Sequence, residues 1–223
     1  MTTAPLRRRA MNTALLHQAA SLLLTYPGPD WPGRYRDVRA ALRAERGGPG
    51  ALLLRFCARV QDAAPLALAA QYVATFDRSP RRTLHLTYYT DGDTRRRGAA
   101  LARLKAGYRA SGWQPAPDEL PDHLPVMLEF AARTPDAGRR LLAEHRAALE
   151  LLRLALVDYR SPYGDVLDAV CRTLPGPRPA DRAAARRLAR TGPPPVETVG
   201  LAPFSVDSGS GSDPGSESGG GRR

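Results

Sequence analysis

Four short blocks follow one another between residues 72 and 130: YVATFD at 72–77, LHLTYY at 84–89, DGDTRRRG at 91–98 and ELPDHLP at 119–125. No other part of the sequence brings aromatic, charged and turn-forming residues so close together. The blocks contain no recognisable set of catalytic residues. We therefore interpret this region as a surface that binds another molecule, and the segments around it as the scaffold that carries it.

Taken together, the patterns YVxTFD, LHLTYY, GDTRxRG and ELPDHLP resemble the NarJ family, the assembly chaperones of respiratory nitrate reductase, over roughly residues 12–175. That family is part of a wider group of cytoplasmic chaperones for molybdenum enzymes, which share a short acidic-Pro-Asp-His element. The resemblance implies a chaperone that binds the unfinished catalytic subunit of nitrate reductase, partly through its N-terminal segment, a remnant of a twin-arginine signal. It implies release of the client for membrane docking once the molybdenum cofactor is inserted, and a chaperone that is not part of the final enzyme.

Apolar residues recur at helical spacing through most of the sequence, which predicts an all-α fold, a compact single-domain bundle of several helices. The segments with this pattern are 12–25, 35–44, 51–60, 65–76, 94–110, a helix that follows Asp122, 136–159 and 162–174. We predict that two of these helices contribute the clearest core residues: Tyr72 and Phe76 on the fourth, and Tyr163, Val166, Leu167, Val170, Cys171 and Leu174 on the last.

Residues 83–90 alternate between apolar and polar side chains and are rich in β-forming residues, so local propensity predicts a strand. A lone strand in a helical chain has no partner for its backbone hydrogen bonds. The resemblance favours a short helix or a turn-rich segment here, and we adopt that interpretation.

Two of the predicted helices have candidate N-cap residues. Asp93 or Thr94 can cap the helix that runs to residue 110, and Asp122 can cap the helix after it. His123 would then lie in a first helical turn, where the positive end of the helix dipole disfavours its protonation. A neutral ring there can donate one hydrogen bond and accept another, so it either braces the loop or contacts a bound peptide.

The formal charge of +11 comes almost entirely from arginine, because Lys105 is the only lysine. A basic balance can indicate nucleic acid or an anionic membrane as the partner. However, the arginine runs at 7–9 and 95–97 are short, and acidic residues are interleaved between 91 and 168. A nucleic-acid interface needs local clustering of charge. Nucleic-acid binding is therefore the second hypothesis, with salt-sensitive retention on heparin or DNA as its test.

No catalytic or metal-binding pattern is complete. Asp91 and Asp93 resemble the start of a calcium loop but lack its downstream ligands. The glycine-rich run at 47–50 lacks the Gly-Lys-Ser/Thr ending of a phosphate loop and is interpreted as an interhelical loop. The histidines form no metal-binding pair at helical spacing: His17, His85, His123 and His145. We predict a protein that is not an enzyme, with no cofactor and no metal site.

The N-terminus has the outline of a signal peptide, since arginines at 7–9 precede an apolar segment at 10–24. Polar residues interrupt that segment, and no small-residue cleavage site follows it. No run approaches the length of a membrane span. Cys57 and Cys171 cannot form a disulfide framework and are expected in the core. We expect a cytoplasmic protein without stable membrane insertion.

Tyrosine and arginine are the residue types that anchor protein recognition, which draws attention to Tyr88, Tyr89 and the run 95–97. Three cations at a helix N-terminus oppose the helix dipole, which indicates an anionic or carbonyl-rich partner. With the resemblance, these features predict a client-binding surface, whose residues are Tyr72, Phe76, Asp77, Leu86, Tyr88, Tyr89, Asp93, Arg95, Arg97, Glu119, Asp122, His123 and Glu129.

We divide the chain into three parts. Residues 1–175 form the helical domain, and residues 176–206 an Arg/Pro-rich extension that can hold one short helix and that includes an Arg-Ala-rich segment at 181–190. Residues 207–223 are a Ser/Gly-rich tail that cannot bury apolar surface and is predicted to be disordered. The expected partner is the nitrate reductase catalytic subunit, and formation of a homodimer stays open.

Overall fold

The computed structural model describes residues 4–45, 47–92, 94–176 and 178–191, with side chains described between residues 12 and 187 of these ranges. Within them the regular elements are helical, which confirms the all-α prediction. The α-helices are α1 (Ala4–Leu24), α2 (Trp31–Ala41), α3 (Gly48–Val60), α4 (Pro65–Phe76), α5 (Tyr88–Asp91), α6 (Arg95–Ala110), α7 (Leu124–Arg133), α8 (Pro135–Glu144), α9 (Arg146–Asp158), α10 (Tyr163–Thr173) and α11 (Arg182–Thr191). Two short 3₁₀ helices lie at Leu42–Ala44 and Pro80–Arg82.

The core is built around α1, α7 and α10. Helix α1 packs along α7 and also contacts α10, which in turn packs against α3 and α9. Leu24, Leu128 and Val166, from these three helices, are all fully buried. None of the helices in the described ranges is long and apolar enough to cross a membrane.

A cluster of aromatic rings joins α3, α4 and α10. The ring of Tyr163 lies 4.9 Å from those of Phe56 and Phe76 and 5.9 Å from that of Tyr72. The Tyr72 hydroxyl donates a 2.9 Å hydrogen bond to the carbonyl oxygen of Leu24 at the end of α1. Aromatic pairs contribute about 0.5–1.5 kcal/mol beyond the area they bury. The prediction that Tyr72 and Phe76 are core residues is confirmed.

The apolar residues predicted to form the buried face of the last core helix, from Tyr163 to Leu174, are all buried. Both cysteines are buried as well. The predicted start was one residue early, because α10 begins at Tyr163 and Pro162 occupies its N-cap position. Ser161 accepts a hydrogen bond from the Tyr163 N–H at 3.3 Å. It therefore supports the first turn from one position further out than a regular N-cap.

The single helix predicted for 136–159 is wrong. The chain forms α8 and α9, which are separated at His145. The His145 ring nitrogen Nδ1 lies 3.0 Å from the carbonyl oxygen of Leu141, so the imidazole occupies the end of α8 where the next turn would continue. Helix α8 packs on α7, whereas α9 packs on α10 and α11. The apolar stripe runs through both helices, so its period did not reveal the break.

Three other boundaries differ from the predicted ones. Helix α1 begins before residue 12, and α2 begins at Trp31, with Pro32 in its first turn. Helix α3 begins inside the glycine run that was interpreted as a loop. There, a Cβ on Gly50 would lie only 2.4 Å from the Cβ of Glu45. Glycine is thus required because two backbone segments approach each other closely.

Helices α7 and α8 are in backbone contact. A Cβ placed on Gly138 of α8 would lie 2.1 Å from the Cα atom of Ala131 on α7. No side chain fits at that distance. Gly138 therefore sets the spacing between these two helices.

The chain after α10 is held against α9 by a buried charged cluster. Glu150 is fully buried and pairs with Arg146 at 3.2 Å and with Arg153 at 2.6 Å. The same two arginines donate hydrogen bonds to the carbonyl oxygens of Pro175 and Pro179. Helix α11 follows directly and lies within the extension, for which one short helix was considered. The predicted tail at 207–223 lies outside the described residues.

Candidate functional site

The carboxylate of Asp122 is the point at which the sequence blocks meet. It is fully buried and accepts hydrogen bonds from the Thr87 hydroxyl at 2.5 Å and from His85 Nδ1 at 3.0 Å. An Arg97 guanidinium nitrogen lies 3.4 Å away and completes an ion pair. Arg97 also donates to the Thr87 hydroxyl oxygen through its Nε, at 3.3 Å. We call these four residues the Asp122 hub.

The backbone pairs at the same place. Leu86 N–H donates to the Asp122 carbonyl oxygen at 3.0 Å, and Leu124 N–H donates to that of Leu84 at 2.9 Å. His85 and His123 therefore form an isolated antiparallel bridge, and their rings lie 5.2 Å apart. The bridge buries Leu84 and Leu86 and leaves His85 partly exposed.

The interpretation of residues 83–90 needs one correction. The short helix adopted for this segment is present as α5, Tyr88–Asp91. However, the alternating residues before it do have a partner, because the backbone at 122–124 supplies the hydrogen bonds. At the bridge itself the two paired residues, His85 and His123, are 38 positions apart in the chain. Local sequence therefore could not reveal it.

Asp122 does not cap α7, so this prediction is wrong. The N-cap position belongs to His123, whose extended backbone (φ −68°, ψ 122°) precedes Leu124, and no side-chain cap bond is formed there. The Asp122 carboxylate points instead to the hub. Thr94 is likewise at the N-cap position of α6 without capping it, since its hydroxyl donates to the carbonyl oxygen of Asp91.

The hub determines which groups carry charge. Burial raises the pKa of Asp122, but the hydrogen bonds from His85 and Thr87 and the charge of Arg97 outweigh burial and leave the pKa below its ordinary value. The pKa of His123 is lowered to about 4, chiefly by burial and secondarily by His85, with Asp122 opposing. The predicted neutral ring agrees with this shift, although burial causes it rather than the helix dipole.

The other residues of the predicted client-binding surface are dispersed. Tyr72, Phe76 and Leu86 are buried in the core. The Tyr89 hydroxyl lies 3.1 Å from the carbonyl oxygens of Arg81 and Thr83. The remaining placements are as follows: Asp77, Arg95 and Glu119 are exposed, Tyr88 is partly buried, Glu129 pairs with Arg133 at 2.9 Å, and Asp93 lies outside the described residues.

A groove of about 570 Å³ opens between α6, α7, α8 and residues 87–91, directly beside the hub. We call it the interhelical groove. Its apolar lining residues are Ala100, Leu104, Tyr108, Phe130, Ala137 and Leu141. Its charged lining residues are Asp91, Arg103, Arg140 and Glu144. The sequence analysis missed this groove, because an apolar residue shows the same helical spacing whether it faces the core or a groove.

The site consists of paired polar groups beside a groove with apolar and charged lining residues. The Asp122 carboxylate is enclosed and already holds three partners, so it is not placed to exchange protons with a substrate. Among the described residues, no three His, Cys, Asp or Glu side chains stand close enough to share a metal ion. An apolar groove with charged residues of both signs at its lining suits an amphipathic peptide segment.

Comparison with known proteins identifies the family. The family model described as nitrate reductase delta subunit matches residues 39–169, a range that contains the hub and the interhelical groove. The chain is 45% identical over 158 residues to the nitrate reductase-like protein NarX of Mycobacterium tuberculosis (strain H37Rv). That alignment covers 70% of this chain but 24% of NarX, so the chain spans about a quarter of that relative.

Two further relatives are aligned over more of their own length. The probable nitrate reductase molybdenum cofactor assembly chaperone NarJ of Bacillus subtilis (strain 168) is 34% identical over 170 residues, which cover 74% of this chain and 92% of that protein. The nitrate reductase molybdenum cofactor assembly chaperone NarJ of Escherichia coli (strain K12) is 31% identical over 156 residues, covering 68% and 66%. The chain therefore belongs to the nitrate reductase delta subunit family.

Proposed function

We propose that this protein is a cytoplasmic assembly chaperone of nitrate reductase that is not part of the final enzyme. It binds the unfinished catalytic subunit, supports insertion of the molybdenum cofactor, and releases the complex for membrane docking. The observation that carries the proposal is the similarity to the Bacillus subtilis chaperone NarJ over 92% of that protein's length. The aligned relatives named as chaperones, together with the enclosed, fully paired Asp122, support a binding role over catalysis.

We assign the interhelical groove to the N-terminal segment of the catalytic subunit. A short amphipathic helix can place its apolar side chains against Leu104, Phe130 and Leu141. Its polar side chains would then meet Arg103 and Glu144. Ordering a flexible segment on binding costs several kcal/mol of the gross interaction energy. The resulting affinity is moderate, as a chaperone that must release its client requires.

The Asp122 hub holds the groove open in one shape. Thr87 lines the groove and donates to Asp122, which lies two residues before α7. Arg97 pairs with the same carboxylate from α6, one turn before the groove residue Ala100. Three sides of the groove are thus tied to one buried group. A preformed groove lowers the cost of binding, because the protein need not be ordered as well as the peptide.

Gly107 and Gly98 of α6 provide a matched test. Gly107 lines the groove, Gly98 does not, and a Cβ at either position meets no atom within 4 Å. Gly107→Leu should therefore fill part of the groove without disturbing the core, and Gly98→Leu should only change the helix surface. Each variant is co-expressed with the cofactor-free catalytic subunit, and the co-purified amount is measured.

We expect the wild type and Gly98→Leu to co-purify with the catalytic subunit, and Gly107→Leu to do so at least about tenfold less well, since a blocked groove loses its main apolar contacts. If the wild type fails to co-purify at all, the proposed function is wrong. If both leucine variants co-purify as the wild type does, the function stands and the client lies elsewhere on the surface.

A further inference from the structure

A second groove, distinct from the interhelical groove, lies where the C-terminal extension meets the LHLTYY block. It encloses about 450 Å³, and we call it the C-terminal groove. Tyr88 and Tyr89 line one part of it, Leu151 of α9 another, and Arg186 of α11 a third. Arg81, the middle residue of the 3₁₀ helix Pro80–Arg82, also lines it. It exists only because α11 is held beside α9.

The placement of α11 rests on several independent contacts. Ala185 is fully buried against its surroundings, and Arg182 pairs with Asp158 of α9 at 3.1 Å. The preceding chain is held through the hydrogen bonds of Arg146 and Arg153 to backbone carbonyl oxygens. These contacts involve both α11 and the chain before it, and together they fix the position of α11 beside α9. The extension is therefore one wall of a surface that the helical domain alone does not complete.

The charges in this groove are unbalanced. Arg182 is neutralised by Asp158, but the guanidinium groups of Arg81 and Arg186 have no acidic partner among the residues that the structure describes. The hydroxyl of Tyr88 makes no hydrogen bond within the same residues, whereas Tyr89 is engaged by backbone carbonyls. Two cations and a free phenol hydroxyl thus border a lining of tyrosine rings and leucine.

We propose that the C-terminal groove binds a protein segment in which carboxylates flank an aliphatic side chain. The planar guanidinium group of an arginine can donate two parallel hydrogen bonds to one carboxylate. A tyrosine ring can pack against an aliphatic side chain, and the tyrosine loses little conformational entropy because it has only two χ angles. A flat anionic membrane would meet the rim cations but could not reach the concave lining around Leu151. The inference does not depend on the client assigned to the interhelical groove.

The test uses the full chain and a fluorescent peptide with one leucine between glutamates, together with the same peptide carrying glutamines. The double variant Arg81→Glu/Arg186→Glu removes both unpaired cations. The control Arg78→Glu/Arg96→Glu makes the same change in net charge on two exposed arginines that line neither this groove nor the interhelical groove. A single-stranded oligonucleotide and phosphatidylglycerol vesicles are measured in parallel, and melting curves verify that all variants are folded.

We expect the glutamate peptide to bind about tenfold more tightly than the glutamine peptide, and the Arg81/Arg186 variant to lose about tenfold in affinity while the control loses little, as paired carboxylate–arginine contacts require. Equal losses in both double variants would show a general charge effect and overturn the proposal. Absence of peptide binding, equal binding of the two peptides, or a selective loss of oligonucleotide or vesicle binding alone would overturn it as well.

Discussion

The hydroxyl of Thr87 donates a 2.5 Å hydrogen bond to the carboxylate of Asp122, a residue 35 positions further along the chain. Thr87 lines the interhelical groove, and Asp122 lies fully buried at the entrance to α7. A single polar contact therefore joins the groove lining to the core. Because His85 and Arg97 share the same carboxylate, the loss of Asp122 leaves three polar groups without their partner.

We expect Asp122→Ala to lower the free energy of unfolding by about 3 kcal/mol, because removing one side of a buried charged pair leaves the other uncompensated. This exceeds the loss of a helix cap, about 1 kcal/mol. Urea unfolding gives the value. Asp118→Ala, at an exposed position in the same loop, is the control and should change it by less than about 0.5 kcal/mol. A cost for Asp122→Ala close to that of the control would show that the hub contributes no stability.

We predict that His123→Ala acts mainly on client binding. The ring is partly buried beside His85 but makes no cap bond, so its removal should lower the melting temperature only slightly. Loss of a hydrogen bond at a desolvated contact costs about 1–3 kcal/mol, which is roughly a tenfold loss of affinity or more. Calorimetric titration with a synthetic N-terminal peptide of the catalytic subunit measures it. Unchanged affinity would remove His123 from the binding surface.

Stability should fall as the pH is lowered from 6.5 towards 4. Burial lowers the pKa of His17 and of His123 from 6.5 to about 4, so in this window the unfolded chain binds protons that the folded chain does not. Each group then removes about 1.4 kcal/mol of unfolding free energy per pH unit. The lowered pKa of Asp122 acts in a different window, because its contribution is lost only below its ordinary value of 3.8.

Urea unfolding between pH 7.5 and 4.5 measures this slope. His17→Gln and His123→Gln should each reduce the slope by about one proton, because each variant lacks one of the two titrating groups. The Asp118→Ala variant should retain the full slope. A flat profile in the wild type would mean that both imidazoles titrate normally in the folded protein.

Two glycines should respond to alanine with opposite signs. Gly107→Ala should stabilise the protein by up to about 1 kcal/mol, since its Cβ meets no atom and alanine favours a helix. Gly138→Ala should destabilise it by about 3 kcal/mol, because its Cβ would collide with the Cα atom of Ala131. Thermal melting of both variants checks the pair. A stabilising Gly138→Ala would show that α7 and α8 separate easily.

Much of the helical core follows from local sequence. The buried positions of α10, from Tyr163 to Leu174, repeat at helical spacing, and burying them requires nothing beyond that spacing. The break at His145 does not follow, because it depends on α8 and α9 packing against different helices. Periodicity reports which residues share a face, and it does not report what each face contacts.

The sequence blocks drew attention to the residues of the hub but not to the way in which they pair. The blocks that contain His85, Arg97 and Asp122 do meet in the structure, and their part in client binding stays a prediction. Asp122 nevertheless precedes a helix with proline in its first turn, which is also the signature of an N-cap. The Asp122 carboxylate pairs with the hub instead of capping α7 because its partners, which lie 25 to 37 residues earlier in the chain, are placed beside it by the fold. A sequence pattern over the length of one helix cannot reveal partners that are so far away in the chain.

The attachment of α11 has a consequence for sequence variation. Arg146 and Arg153 hold the segment between α10 and α11 by hydrogen bonds to its backbone. The acceptors are the carbonyl oxygens of Pro175 and Pro179, not side chains. A carbonyl group is common to every amino acid, so many linker sequences can satisfy the same two arginines. Residues 175–179 are accordingly free to diverge while α11 keeps its position. Replacement of either arginine or of Glu150 would loosen this segment and leave the buried Ala185 and the Arg182–Asp158 pair to hold α11.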